Sequence, residues 1–222
     1  MRGLFVTGTD TGVGKTVACA ALMHRFRGAR YWKPIQTGIE YDNDTNEVQR
    51  LGSCTSEELL DEGVRLRRAL SPHLAARLDG RPIDLERLMG HAVSQAVATR
   101  WIVEGAGGVL VPINDSALMV DLIAALGLPV LVVARTRLGT INHTLLTLEA
   151  LRAKALMVVG VLMVGEPDRE NRAAIETYGR VSVVGELPFL DPLTPATLGA
   201  WARVNLDAAN QLPLTEPRTC RT

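Results

Sequence analysis

The sequence predicts an α/β fold in which a parallel sheet carries helices on both faces, and three observations lead there. Short apolar runs recur at residues 4–7, 101–103, 129–134 and Val158–Val164, as expected of strands buried on both faces. Segments with helical spacing of apolar residues separate them, so strand and helix alternate along the chain. The first apolar run passes directly into a glycine-rich turn and an alanine-rich helical segment, the junction at which α/β sheets bind phosphate. A chain of 222 residues fits a single such domain, expected over residues 1–212, with residues 213–222 as a disordered tail.

Residues 4–7 form the first strand, and Gly8-Thr9-Asp10-Thr11-Gly12-Val13-Gly14-Lys15-Thr16 reads as a phosphate-binding loop of the P-loop NTPase kind. Glycines allow successive N–H groups to point at one anion, Lys15 can reach the outer phosphates, and the Thr16 hydroxyl can ligate Mg2+. The common pattern has glycine where Thr9 stands, with Gly8 one residue earlier. The flanking strand and a helix over residues 17–27, stopped by Gly28, supply the missing context. An ordinary strand-to-helix turn would not call for Lys15 and Thr16 together.

Arg30-Tyr31-Trp32 is the second strand, broken into a loop at Lys33-Pro34-Ile35-Gln36-Thr37-Gly38. Loops leaving the carboxyl ends of strands surround the ligand in open α/β sheets, which puts Lys33 and Thr37 on the P-loop rim. A solvated strand end is the plainer alternative for Lys33. Asp42-Asn43-Asp44-Thr45 opens a helix over residues 46–51, and any of the four can cap it. Two acids in a polar turn beside a triphosphate also suit Mg2+. Residues 53–63 read as a surface excursion and residues 64–70 as a short strand. A helix follows from Ser71-Pro72-His73 to residue 78, with Pro72 in the first turn. The helix predicted over residues 85–99 places Leu85, Leu88, Met89, Ala92, Val93 and Ala96 on a core face.

The strand at residues 101–104 ends in Glu104 and runs into Gly105-Ala106-Gly107-Gly108. A carboxylate at the end of an apolar strand is costly unless it meets a cation or faces water. Glu104 is therefore a candidate Mg2+ ligand or water-positioning acid, with the glycines letting backbone approach a nucleotide. Residues 109–113 extend a neighbouring strand or cover the site, and a helix over residues 118–126 ends at Gly127. After the strand at residues 129–134, Thr140-Ile141-Asn142-His143 begins a helix to residue 151 whose free N–H groups can hold a carboxylate, or which Thr140 or Asn142 merely caps. The strand Val158–Val164, a helix over residues 172–178 and a strand over residues 181–184 lead to Gly185-Glu186-Leu187-Pro188-Phe189-Leu190, an apolar turn suited to a flat ring. A helix over residues 197–209 precedes the tail.

A formal net charge of +0 gives no reason to expect nucleic acid or an anionic membrane as partner. The three cysteines, Cys19, Cys54 and Cys220, are odd in number and far apart, which fits reduced thiols and a cytoplasmic location. The first strand starts too early to leave room for a signal peptide, and no apolar run approaches the ~18 residues of a membrane span.

Six motifs occur in order: the P-loop Gly8 to Thr16, Lys33-Pro34-Ile35-Gln36-Thr37-Gly38, Ser71-Pro72-His73, Glu104-Gly105-Ala106-Gly107-Gly108, Leu138-Gly139-Thr140-Ile141-Asn142-His143 and Gly185-Glu186-Leu187-Pro188. In this combination, spanning nearly the whole chain, the sequence resembles the dethiobiotin synthetases of biotin biosynthesis. The resemblance implies a homodimeric enzyme that joins 7,8-diaminononanoate and CO2 at the expense of ATP, through a carbamate and a carbamic-phosphoric anhydride. It implies catalytic roles for Lys15 and Lys33, and Mg2+ held by Thr16, Asp44 and Glu104. Nucleotide contacts would come from Gly12, Val13, Gly14, Lys15, Thr16, Val17, Asp44, Glu104, Gly105, Ala106 and Gly107, and on the base side from Val164, Gly165, Pro188, Phe189 and Leu190. Thr11 and Thr37 would hydrogen-bond the diamine or carbamate, and Gly139, Thr140, Ile141 and Asn142 would bind the substrate carboxylate across the subunit interface.

One departure stands out: Val164 occupies a position where family members often carry an adenine-reading asparagine. Partitioning and metallochaperone ATPases, which share the loop, place a signature lysine where this chain has Asp10, and amidating synthetases of cobyrinate type commonly carry a glutaminase domain for which this chain has neither length nor motif. A nucleotide-binding switch is the non-enzymatic alternative, but it has no use for Lys33 and Thr37 beside the γ-phosphate.

Overall fold

The computed structural model describes residues 2–60, 62–94 and 100–214. Seven parallel strands form the sheet: β1 (Arg2–Gly8), β2 (Arg30–Trp32), β4 (Leu59–Leu60), β6 (Arg100–Gly108), β7 (Val130–Arg135), β8 (Val158–Val164) and β9 (Val183–Leu187). Their order is β4-β2-β6-β1-β7-β8-β9, so β1 is central and the chain winds outward on both sides of it. That reversal is the switch point at which ligands bind beyond the carboxyl ends of the strands.

Alternation along each strand divides the core in two. Leu4, Val6, Tyr31, Ile102, Leu131 and Val133 pack toward α1 (Lys15–Arg25), α2 (Asp44–Gly52) and α8 (Pro195–Asn205). Phe5, Trp32, Trp101, Val103 and Val132 face the opposite side, with side chains from α3 (Pro72–Asp79), α4 (Leu85–Ser94), α5 (Met119–Leu126), α6 (Thr140–Ala153) and α7 (Arg169–Gly179). All eleven of these strand residues are fully buried, which is why their sequence reads as unbroken apolar runs.

Several expectations are corrected. The segment at residues 53–63 is not merely a surface excursion, because Leu59 and Leu60 pair with Tyr31 and Trp32 as the edge strand β4. The strand expected over residues 64–70 is only β5 (Val64–Arg65), paired with β3 (Ile35–Gln36), since beyond it Arg67 N–H turns to donate to Asp79. The last strand spans Val183–Leu187 and so takes in Gly185 and Leu187 of the expected turn. The helix expected over residues 197–209 is Pro195–Asn205, capped by Thr194 and followed by Asp207 at φ 52. Leu212 and Leu214 are buried, so the chain is still packed past residue 213, and the rest of the expected tail lies outside the described residues, as do residues 95–99 of the helix expected over 85–99.

Candidate active site

The P-loop follows directly from β1. Gly12 and Gly14 sit at φ 68 and 94, a backbone region costly for residues with a Cβ. A methyl group on Gly14 would also come within 2.9 Å of Val164 Cγ1, so the loop lies directly on the end of β8. Lys15 starts α1 and donates to the carbonyl of Asp10 at 3.0 Å, folding its ammonium into the loop. Burial, with Lys33 nearby, pulls the Lys15 pKa down to about 8.

Register explains how distant residues meet above this helix. Tyr31 pairs with Ile102 and Trp32 with Val103, so Tyr31, Lys33, Ile102 and Glu104 all project toward α1. Glu104 is fully buried and is not the end of its strand, because β6 continues to Gly108. Its Oε1 accepts from Lys33 Nζ at 2.7 Å and from the Thr16 hydroxyl at 3.2 Å, while Oε2 accepts from the Tyr31 hydroxyl at 2.9 Å. Asp44, in the first turn of α2, completes the group: its carboxylate pairs with Lys33 and accepts from Thr16 at 2.7 Å. Asn43, rather than Asp44, caps that helix, accepting from Asn46 N–H at 3.2 Å, so Asp44 is free to point at Lys33. The plainer alternatives, a capping Asp44, a water-facing Glu104 and a solvated Lys33, are all excluded by this geometry.

The charge balance is local. Burial alone would lower the Lys33 pKa, but Glu104 and Asp44 outweigh it and hold it above the ordinary lysine value. Burial would raise Asp44, and Lys33 with the Thr16 hydroxyl overrides that and holds it low. Two carboxylates and a hydroxyl therefore converge on a point that a cation fills. These are the hard oxygen donors Mg2+ takes when phosphate oxygens and water complete its shell. Among the described residues no three His, Cys, Asp or Glu side chains cluster, so a metal here rests on this donor set plus its ligand.

These residues open into a cleft of about 890 Å³ lined by Thr11, Gly12, Gly14, Lys15, Thr16, Val17, Lys33, Thr37, Asp44, Glu104, Ala106 and Gly107 among others. Gln36 and Tyr41 also line it, and Gln36 was missed from sequence: its Oε1 accepts from Asp44 N–H at 3.3 Å. Val13 and Gly105 lie behind the cleft wall, although the Gly105 carbonyl accepts weakly from Lys33 at 3.4 Å. Val164 lies against Gly14 without lining the cleft, and Gly165, Pro188, Phe189 and Leu190 stand off it around the ends of β8 and β9, where the Gly165 N–H donates to the Leu187 carbonyl at 2.9 Å. Phe189 is exposed and adjoins Gly165.

The start of α6 is also outside the cleft. Thr140 is buried, its hydroxyl donates to the Arg135 carbonyl and its N–H to Arg137, so neither is available to a ligand. Ile141 and Asn142 keep their helix-start N–H groups without a backbone acceptor among the described residues, and Gly139 stands at φ 92 before them. The next turn, with His143, Leu146 and Thr147, borders a second depression of about 400 Å³ shared with Thr9, Asp10 and Gly108. Of the Ser71-Pro72-His73 motif, Ser71 and Pro72 line the cleft, and His73 is absent from the lining of either space.

Comparison with known proteins adds to this geometry. The family described as "AAA domain" matches residues 2–197. The ATP-dependent dethiobiotin synthetase BioD of Brucella ovis is 48% identical over 195 residues, which is 88% of this chain and 90% of that protein, and that of Brucella abortus is 47% identical over the same shares. Among solved structures, the MinC:MinD cell division complex of Aquifex aeolicus superposes with a TM-score of 0.58 at 14% identity, covering 100% of this chain and 99% of that one. A ParA family ATPase from Chlorobium tepidum gives 0.56 at 10% identity, covering 90% and 97%. The last two share the fold alone.

Proposed function

Since the chain belongs to the ATP-dependent dethiobiotin synthetases, we propose that it converts 7,8-diaminononanoate, CO2 and ATP to dethiobiotin, ADP and phosphate at the Lys15–Lys33 cleft. One amine adds to CO2 and loses a proton to give a carbamate. A carbamate oxygen takes the γ-phosphoryl group as ADP departs. The second amine then attacks the carbamate carbon, phosphate leaves with the C–O bond, and a proton is lost as the cyclic urea closes.

Negative charge builds on carbamate and phosphate together, and this chain's part is to meet it with fixed cations. Lys15, at the head of α1, faces the outer phosphates alongside the N–H groups of Gly12 to Val17. Lys33 lies on the other side, its ammonium held by Glu104 and Asp44 until an anion enters. Thr16, Asp44 and Glu104 would hold Mg2+, which neutralises triphosphate charge when bound. Thr11 and Thr37 line the cleft wall and would hydrogen-bond the diamine or carbamate. The free N–H groups of Ile141 and Asn142 suit the substrate carboxylate, supplied from the partner in a homodimer, since on one chain they open outside the cleft. The buried free thiols Cys19 and Cys54 favour a reducing, cytoplasmic setting, and no described helix is long and apolar enough to cross a membrane.

The observation that carries this reading is Lys33, buried between two carboxylates that also bind the P-loop threonine. A nucleotide switch needs the threonine and an acid but not a second lysine above them. Phosphate release measured with and without diaminononanoate and bicarbonate tests it: dependence on both is expected, and release unaffected by either would make the protein a simple nucleotidase.

A further inference from the structure

Tyr31 is fully buried on the α1 face of β2, diagonal to Glu104 across the β2–β6 pair, and its hydroxyl donates to Glu104 Oε2 at 2.9 Å. The other oxygen of Glu104 is the one that meets Thr16 and Lys33. From this division of the two oxygens we infer that Tyr31 is a positioning residue for the metal: its hydroxyl occupies Oε2, fixes the carboxylate plane and leaves Oε1 alone to face the cation. The inference rests on the reading of Glu104 as a Mg2+ ligand.

The physical case has three parts. A carboxylate with no exposed surface has lost its water partners, so each of its oxygens needs a donor from the protein. Tyr31 is itself fully buried, so its hydroxyl has no water to turn to and its 2.9 Å bond to Oε2 is the contact that holds it. A donor on Oε2 also disfavours two-oxygen coordination, and Mg2+, with its strict octahedral geometry, is served by one oxygen from Glu104. Partners behind a metal ligand commonly carry 10–100-fold of the metal affinity. Nothing in the local sequence marks Tyr31, because it lies within an apolar strand and reads as core.

The test uses full-length protein saturated with the β,γ-imido analogue of ATP, with Mn2+ as the probe and electron paramagnetic resonance counting free ion. Tyr31→Phe keeps the ring and removes only the hydroxyl. It is expected to weaken Mn2+ binding about tenfold while leaving metal-free affinity for the analogue unchanged. In a Glu104→Ala background the same substitution should have no further effect. If Glu104→Ala weakens Mn2+ and Tyr31→Phe does not, the inference fails while the metal reading stands; if Glu104→Ala itself leaves Mn2+ binding unchanged, the metal reading fails. An equal loss from Tyr31→Phe in both backgrounds also overturns the inference. Should Tyr31→Phe not fold, wild-type protein labelled at tyrosine 13Cζ answers instead, with only three tyrosines to resolve. Adding Mg2+ to the analogue complex is expected to shift the Tyr31 signal, and an unmoved signal contradicts the inference.

Discussion

Replacing Lys33 by methionine removes one charge of a buried trio and keeps most of the apolar volume. The Lys33 and Glu104 side chains are 4% and 0% exposed and Asp44, at the cleft, is 16% exposed, so water replaces the ammonium poorly at Glu104 and only in part at Asp44. Breaking a buried pair in this way costs about 3–5 kcal/mol. At about 2–4 °C per kcal/mol for a domain of this size, the melting temperature should fall by roughly 6–20 °C. The sign of the pH dependence follows from Asp44. Its folded pKa is depressed, so it adds stability above the ordinary carboxylate value of 3.8 and loses it as pH falls through the lower folded value. Lys33→Met removes that depression, so the gap between variant and wild type should hold at neutral pH and narrow only as pH falls below the ordinary carboxylate value of 3.8. Mg2+ added without nucleotide should raise the variant's melting temperature more than the wild type's, because it supplies the missing positive charge. Turnover should fall at least ~100-fold, as for other preorganised donors to a transition state. Differential scanning fluorimetry and a coupled ADP assay read all of this. A variant that melts within about 2 °C of wild type would refute the burial argument, and near-normal turnover would remove Lys33 from the mechanism.

Three further outcomes are expected. Glu104→Ala and Asp44→Ala should raise the Mg2+ concentration needed for half-maximal turnover, read from a Mg2+ titration at saturating ATP; an unchanged profile would take that carboxylate out of the metal site. Asn142→Ala, which removes a side-chain amide next to the helix-start N–H groups proposed to hold the substrate carboxylate, should raise the KM for the diamine about tenfold and leave that for ATP nearly unchanged, a loss of ~1.4 kcal/mol; equal effects on both would point to a damaged helix start. Val164 presents an apolar wall beneath Gly14 and cannot read a base edge, so CTP, GTP and UTP should support turnover within about tenfold of ATP, and Val164→Asn should sharpen the preference for ATP. A strong wild-type preference that the substitution does not change would move base recognition to backbone groups.

The fold was legible because the buried strands leave little choice: Phe5, Trp101 and Val103 cannot face water, and their strands can only be central. β4 was illegible for the opposite reason. Leu59 and Leu60 are two residues set among charged neighbours, and their strand character comes only from pairing with β2. In the site, the P-loop residues, Lys33, Asp44 and Glu104 were visible as polar groups placed where an apolar pattern should continue or a helix begin. Tyr31 and Gln36 were not, because their roles depend on lateral register: Tyr31 reaches Glu104 across two strands, and Gln36 meets the backbone of Asp44 eight residues on. The loss of Thr140 as a ligand-binding donor was equally hidden, since its hydroxyl turns back to the carbonyl of Arg135 at the end of β7.

The central claim, that this cleft couples ATP cleavage to ring closure, is tested most directly with 13C-labelled bicarbonate. Protein, Mg2+, ATP and diaminononanoate are combined under single-turnover conditions, and labelled urea carbon is compared with ADP formed. The account predicts one labelled cyclic urea per ADP and negligible ADP when the diamine is omitted. ADP formed at the same rate without the diamine, with no label in product, would contradict it.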